Sequence, residues 1–255
     1  MKTHTFFLSL IILTTLSCQR FIYKNYNEAK AKNKYDLSLE KTSDVSKERI
    51  VNNLLSPTLD SSQLTYKNIG GKNYILVVMW KKEGDLKYYK NDCTSGIYNT
   101  QSRYNFVTIV PQLKNICRKK NFGISQGVSL RLEELLGLPQ KSQKDYFVEA
   151  WVQPEDLIRP CRDKEITDRT CGLALGDTTM QEYKTYLGWL STGNAGYPFT
   201  QLGYTYDWKK RNGSHEGLSE FLIDQQSNIV IKDYIETCDY CYVSKVRKER
   251  NAKHN

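Results

Sequence analysis

The stretch Tyr146 to Cys171, YFVEAWVQPEDLIRPCRDKEITDRTC, opens on seven residues that read as a β-strand. Side chains alternate across a strand, so Phe147, Glu149 and Trp151 share one face and Val148, Ala150 and Val152 the other. Pro154 then turns the chain into a loop bounded by Cys161 and Cys171 and crowded with Arg159, Arg162, Asp163, Glu165 and Asp168. A strand that is apolar on both faces needs neighbours in a sheet and cover on at least one side.

Those neighbours are legible on both sides of it. Tyr74 to Trp80, YILVVMW, is a continuous run of β-formers and predicts a strand buried on both faces. Glu83-Gly84-Asp85 is expected to be a hairpin turn returning the chain as Leu86 to Lys90. Further strands are expected at Tyr104 to Val110, Leu202 to Trp208, Leu218 to Ile223 and Asn228 to Ile235. Short connections make antiparallel pairing the default. Helices are expected at Gln112 to Lys119 after Pro111, at Ser129 to Leu136 before Gly137, and at Thr179 to Leu190. In the last, Thr179 and Glu182 form a capping box, and Met180, Tyr183, Leu187 and Leu190 form the apolar stripe. The expected class is therefore α+β, a mainly antiparallel sheet with two or three short helices, stapled by disulfides.

Residues 1–17 have a basic start, an apolar run from Phe6 to Leu13 and small polar residues before Cys18, the layout of a secretory signal. The run is too short to span a bilayer as an ordinary helix. Thr15-Leu16-Ser17-Cys18 resembles a bacterial lipobox, which implies cleavage before Cys18 and a lipid on its thiol. Seven cysteines is an odd number; with Cys18 acylated, Cys93, Cys117, Cys161, Cys171, Cys238 and Cys241 are left to pair. The local pairings expected are Cys93 with Cys117, Cys161 with Cys171, and Cys238 with Cys241. The alternative for Cys238-Asp-Tyr-Cys241, a redox pair, would need a helix start within a βαβ unit. The cysteine spacings do not suit a closed zinc site, and no metal is expected. Residues 18–71 read as a polar tether with one short helix, from Ile50, Val51, Leu54 and Leu55 behind Asp44 and before Pro57. The globular domain is expected over 72–242, and residues 243–255 form a basic tail.

The formal net charge is +9. Much of it lies in that tail, where Lys245, Arg247, Lys248, Arg250 and Lys253 face only Glu249. Nucleic-acid binding, which organises basic residues on a folded face, is not expected. An anionic envelope surface is.

Chemistry rests on few residues. Glu149 lies between aromatics, and Glu220 sits in a strand apolar on both faces, where a carboxylate must be paired or protonated. Arg131, Arg159 and Arg162 are the candidate cations, Arg159 being held in place by Pro160. Tyr204, Tyr206 and Trp208 share a strand face that is either core or a stacking platform. His215 is the only credible catalytic histidine, and no partner for it is evident.

Leu138-Pro139, the strand from Tyr146 with Pro154, and Gly-Leu-Ser-Glu-Phe at 217–221 follow one another in an order that resembles necrotizing-toxin-type NAD glycohydrolases, relatives of the ADP-ribosyltransferase fold. The glycine-rich run those enzymes carry before their motif is absent. The resemblance implies a secreted antiparallel α+β domain with NAD as substrate. Glu220 would then act at the nicotinamide ribose, Arg159 or Arg131 at the diphosphate, and Tyr204, Tyr206 or Trp208 on the nicotinamide ring. The chain also resembles bacterial lipoproteins generally, which implies no activity.

Three readings follow. The leading one is a lipid-anchored cell-envelope protein with a binding or structural role and no cofactor, partnered by the membrane and by an envelope protein or glycan. The second is the NAD-consuming enzyme. The third is a glycan hydrolase whose two carboxylates, Glu149 and Glu220, would have to stand at retaining or inverting separation.

Overall fold

The computed structural model describes residues 26–91, 96–174, 181–191, 196–209 and 214–242. The leader, Cys18, Cys93, Thr179, Met180 and the basic tail lie outside the described residues. In chain order the α-helices are α1 (Glu28–Thr42), α2 (Leu86–Asn91), α3 (Gln112–Cys117), α4 (Val128–Leu135), α5 (Gln181–Ser191) and α6 (Thr237–Cys241). The strands are β1 (Tyr66–Ile69), β2 (Lys72–Lys81), β3 (Ile97–Asn99), β4 (Asn105–Ile109), β5 (Tyr146–Val152), β6 (Leu157–Ile158), β7 (Tyr204–Tyr206), β8 (Glu216–Ser219), β9 (Phe221–Ile223) and β10 (Asn228–Glu236).

The class is α+β with antiparallel pairing, but the expected two or three helices become six among the described residues. Two of the additions come from misread segments. Glu83–Asp85 is a 3-10 turn leading into α2, where a hairpin and strand were expected. Tyr89 decides this. As a helix the segment buries Leu86 and Tyr89, three apart, on the sheet, and Tyr89 packs on Tyr98 at 4.9 Å between centroids. In the segment expected to be a tether, the helix is α1 and not the stretch around Ile50 to Leu55. Asn27 caps α1 through its side chain, accepting from the Lys30 N–H at 2.8 Å. The 26–71 segment packs on the domain: α1 buries Ala31 and Tyr35 against Trp208, and β1 pairs with β2.

The main sheet runs β3-β10-β5-β2-β4-β9-β6, with β1 beside β2, and β7 and β8 form a separate ladder. Covering helices and loops make β2 and β5 apolar on both faces. One face, with Ile75, Val77, Met79, Val107, Val148 and Phe221, lies under α2 and the segments around Leu55, Leu64 and Ile166. The opposite face carries Leu76, Val78, Trp80, Phe147 and Trp151 beneath α3, α4 and α6. Phe147 stacks near Trp80 and Tyr240, at 5.7 and 4.2 Å between centroids. Farther along this second face, α5 sets Tyr183, Leu187 and Leu190 over Ile158 and Leu222. Between the two helical groups the face is left open.

The Gly137 cap behaves as expected. It has φ +66°, and the Leu138 N–H reaches the Glu133 carbonyl at 2.8 Å, so the chain leaves α4 abruptly toward the gap. Cysteine pairing is corrected in part. Cys161 bonds Cys171 as expected, but Cys117 bonds Cys241 across a sequence separation of 124, joining α3 to α6. Cys238 is disulfide-bonded too, so it and Cys241 do not form a redox pair despite standing at a helix start. No helix among the described residues is long and apolar enough to cross a membrane.

Candidate functional site

The expected strand Leu218 to Ile223 is broken at Glu220. Before it, β8 pairs with β7; after it, β9 pairs with β4 and β6. Glu220 is the step between the two sheets, its N–H donating to the Gly203 carbonyl at 2.9 Å. The register Val107 with Phe221, carried on by one residue, sets Glu220 opposite Thr108, and Thr108 pairs with Val78. Glu220 therefore faces the open part of the second sheet face.

A cavity of about 320 Å3 fills that opening. Val78, Trp80, Phe106, Thr108 and Glu220 form its floor; Leu136 to Leu138, Pro198, Phe199 and Tyr206 form one wall, and Tyr186, Trp189 and Leu190 of α5 another. Tyr104 stacks on Tyr186 at 4.6 Å between centroids, and Tyr186 on Trp189 at 6.2 Å, so rings line one side continuously. Lys81 and Lys144 line the end of the cavity where β2 finishes. Among the described residues the Glu220 carboxylate has no hydrogen-bonding or ion-pair partner. Burial alone pushes its carboxyl up to about 8, so it is protonated at neutral pH. Of the two conditions required of a carboxylate here, pairing or protonation, it meets the second.

Glu149 has the opposite surroundings on the same face. It stands opposite Val78 on β5, accepting from Lys114 at 2.8 Å and Lys232 at 2.5 Å. Burial pushes its carboxyl up, but the two ammonium groups more than offset this and hold it below the usual carboxylate range. It is a structural ion triad and not an acid. Glu149 and Glu220 share one row of the sheet at three strand spacings, on the order of 14 Å, beyond retaining or inverting separation. Because Lys114 and Lys232 can swing into water, we expect Glu149→Gln to cost only about 1–2 kcal/mol at pH 7. Its carboxyl is depressed, so the loss should vanish as pH falls below the carboxylate range, which urea titrations at pH 3 and pH 7 would check.

The remaining expected site residues are dispersed. Arg131 forms a two-pronged bond with Asp207 at 3.0 and 2.6 Å. Arg159 is fully buried over Phe221 and donates to the carbonyls of Glu165, Leu55 and Asp168, so the expected Arg–Glu220 pair is not made. Arg162 bonds the Leu173 carbonyl. Of the aromatic ladder only Tyr206 lines the cavity, stacked on His215 at 4.5 Å. Tyr204 packs in a core cluster with Leu54 and Leu202, its hydroxyl on the Arg49 carbonyl; Trp208 packs on Tyr35, its indole N–H on the Leu138 carbonyl. Among the described residues no group of three or more His, Cys, Asp or Glu is placed to hold a metal ion.

No family model, curated protein or solved structure matches this chain. The geometry is thus the ground for any functional reading. It adds residues that sequence reasoning missed: Lys81, Lys144, Tyr104, Phe106, Tyr186 and Trp189. A signal for two of them was present. Tyr186 and Trp189 are aromatics beside the core stripe of α5 rather than in it, a placement that puts rings at the edge of the core where a cavity can open.

Proposed function

We propose that this chain is an exported cell-envelope protein, anchored through a lipid on Cys18, whose role is to bind a small ring-bearing ligand in the Glu220 cavity. The observation that carries the reading is a partnerless carboxyl at the base of a cavity walled by stacked rings. Burying such a group costs free energy that folding alone does not recover, and a ligand that bonds to it would recover part. The volume is at the small end of ligand sites and exceeds that of cavities of about 150 Å3 that admit benzene.

The NAD-consuming reading has Glu220 and Tyr206 at one cavity but no guanidinium there among the described residues, since Arg131 and Arg159 are engaged elsewhere. Among the described residues the glycan-hydrolase reading lacks a second carboxylate in the cavity. Binding requires neither.

The test is titration of the oxidised chain with 4-ethylphenol, a ring with one hydroxyl for Glu220, followed by ligand-observed NMR and by fluorescence of Trp80 and Trp189. Saturable binding is expected, and Thr108→Phe, which fills the floor, should abolish it in a chain that still melts cooperatively. Failure of 4-ethylphenol, of indole and of the same ring carrying a carboxylate or an ammonium to saturate would overturn the reading, and NAD turnover by the chain would replace it. Mass spectrometry of the mature N-terminus, with Cys18→Ser beside it, tests the anchor.

A further inference from the structure

The cavity has two chemically different ends. Glu220 stands in the row of Val78 and Thr108, and the next row on the same face, Trp80 with Phe106, lies about 7 Å along the strands. Beyond that row the strands end, and Lys81 and Lys144 line the cavity there. Lys144 donates to the Trp80 carbonyl at 3.1 Å; Lys81, which alternation turns toward the first sheet face, borders the cavity only at the sheet end, its ammonium 5.5 Å from the Tyr89 ring centroid. Among the described residues neither lysine has a carboxylate within ion-pair distance.

The charged groups facing this end are unbalanced. Lys144 faces Lys81, Lys82, Asp85 and Glu133; Lys81 faces Asp85 and Arg103. Both carboxylates are already engaged, Asp85 with the Lys82 N–H and Glu133 with the N–H and hydroxyl of Ser142. Cations thus outnumber anions around a partly desolvated volume, which favours a negative occupant.

We infer that the ligand is a ring-bearing anion: its acidic group is held between Lys81 and Lys144, its ring lies over Phe106 beside Tyr104 and Tyr186, and a polar group at its far end meets the Glu220 carboxyl. This rests on the cavity being the ligand site and names the class it takes. The protonation states agree with it. Burial holds both ammonium groups down to about 8, where they are still charged at neutral pH, and holds Glu220 neutral, able to donate to a hydroxyl or carbonyl oxygen. As pH rises through 8 the lysines lose charge and Glu220 gains it, and both changes weaken an anion and strengthen a cation.

Three probes share one ring and differ in charge: 3-(4-hydroxyphenyl)propanoate, 4-ethylphenol and tyramine. At pH 6.5 the propanoate is expected to bind at least about ten-fold more tightly than 4-ethylphenol, and tyramine more weakly than either. The advantage of the propanoate should fall about ten-fold by pH 9.5. In Lys144→Met and in Lys81→Met it should bind no tighter than 4-ethylphenol, with Lys144→Arg restoring part of the advantage. If tyramine is the tightest of the three, or if the propanoate keeps its advantage in both methionine variants, the anion assignment is wrong. If 4-ethylphenol binds and the propanoate gains nothing over it, the ligand site stands and only the class fails. Binding of none of the three removes both.

Discussion

Glu220→Gln is expected to make the chain more stable, by on the order of 2–4 kcal/mol at pH 8, while changing little at pH 4. The native Glu220 carboxyl is raised to about 8 by burial, whereas in the unfolded chain it titrates in the ordinary carboxylate range. Between those two values the unfolded state gives up its proton first, so stability falls as pH rises from about 4.5 and the full penalty is present above 8. Water within the cavity reduces the penalty below the value for a sealed site. Glutamine keeps the shape and a donor but has no proton to lose. Urea unfolding of both proteins at several pH values would show two curves that meet near pH 4 and separate toward pH 8. Parallel curves would mean that the Glu220 carboxyl finds a partner in solution. Above pH 8 both proteins should gain stability together, because Lys81 and Lys144 are depressed and the unfolded chain then binds the extra protons. The sign matters for function. A residue whose removal stabilises the fold is one the fold does not need, and binding sites commonly pay stability in this way.

Gly217→Ala is expected to have the opposite effect, a loss of about 3–5 kcal/mol or no recoverable folded protein. A Cβ at Gly217 would stand 2.2 Å from Thr205 Oγ1, 2.6 Å from the Thr205 carbonyl and 2.7 Å from the Leu135 carbonyl. All are held in place. The Thr205 hydroxyl donates to the Leu135 carbonyl at 2.7 Å and accepts from the Leu218 N–H at 2.8 Å, tying β7 and β8 to the end of α4. An added methyl would have to push this junction apart, and with it the step at Glu220 three residues on. Gly84→Ala is the control: nothing lies within 4 Å of its Cβ, and its stability should stay within about 0.5 kcal/mol of the parent. Thermal melts of the two variants beside the parent would decide. A melting temperature for Gly217→Ala within 2–3 °C of the parent would mean that the β7–β8 ladder is not held as tightly as described.

The strands illustrate what kind of information travels along a chain. Tyr74 to Trp80, Tyr104 to Val110, Tyr146 to Val152 and Asn228 to Ile235 are each read from their own side chains, and each is a strand within a residue or two. The Gly137 cap is local in the same sense. Leu86 to Asn91 is not: six residues, LKYYKN, suit a helix or a strand, and the sheet face that accepts Leu86 and Tyr89 makes the choice. Glu28–Thr42 was missed because its side chains are mostly polar and its buried residues, among them Ala31 and Tyr35, are few.

Glu149 and Glu220 look alike in sequence, each a carboxylate in an apolar strand on the same sheet face. Sequence by itself determined that each stands in an apolar strand and which side chains share its face, because alternation is a property of neighbours along the chain. Only the tertiary structure decided their chemistry, because charge interactions act across space. Helix α3 and strand β10 bring Lys114 and Lys232 to Glu149, and no described residue brings a partner to Glu220. The lysines that set the other end of the cavity come from positions 81 and 144, 63 residues apart, which meet because Lys81 pairs with Tyr146 at the end of β2.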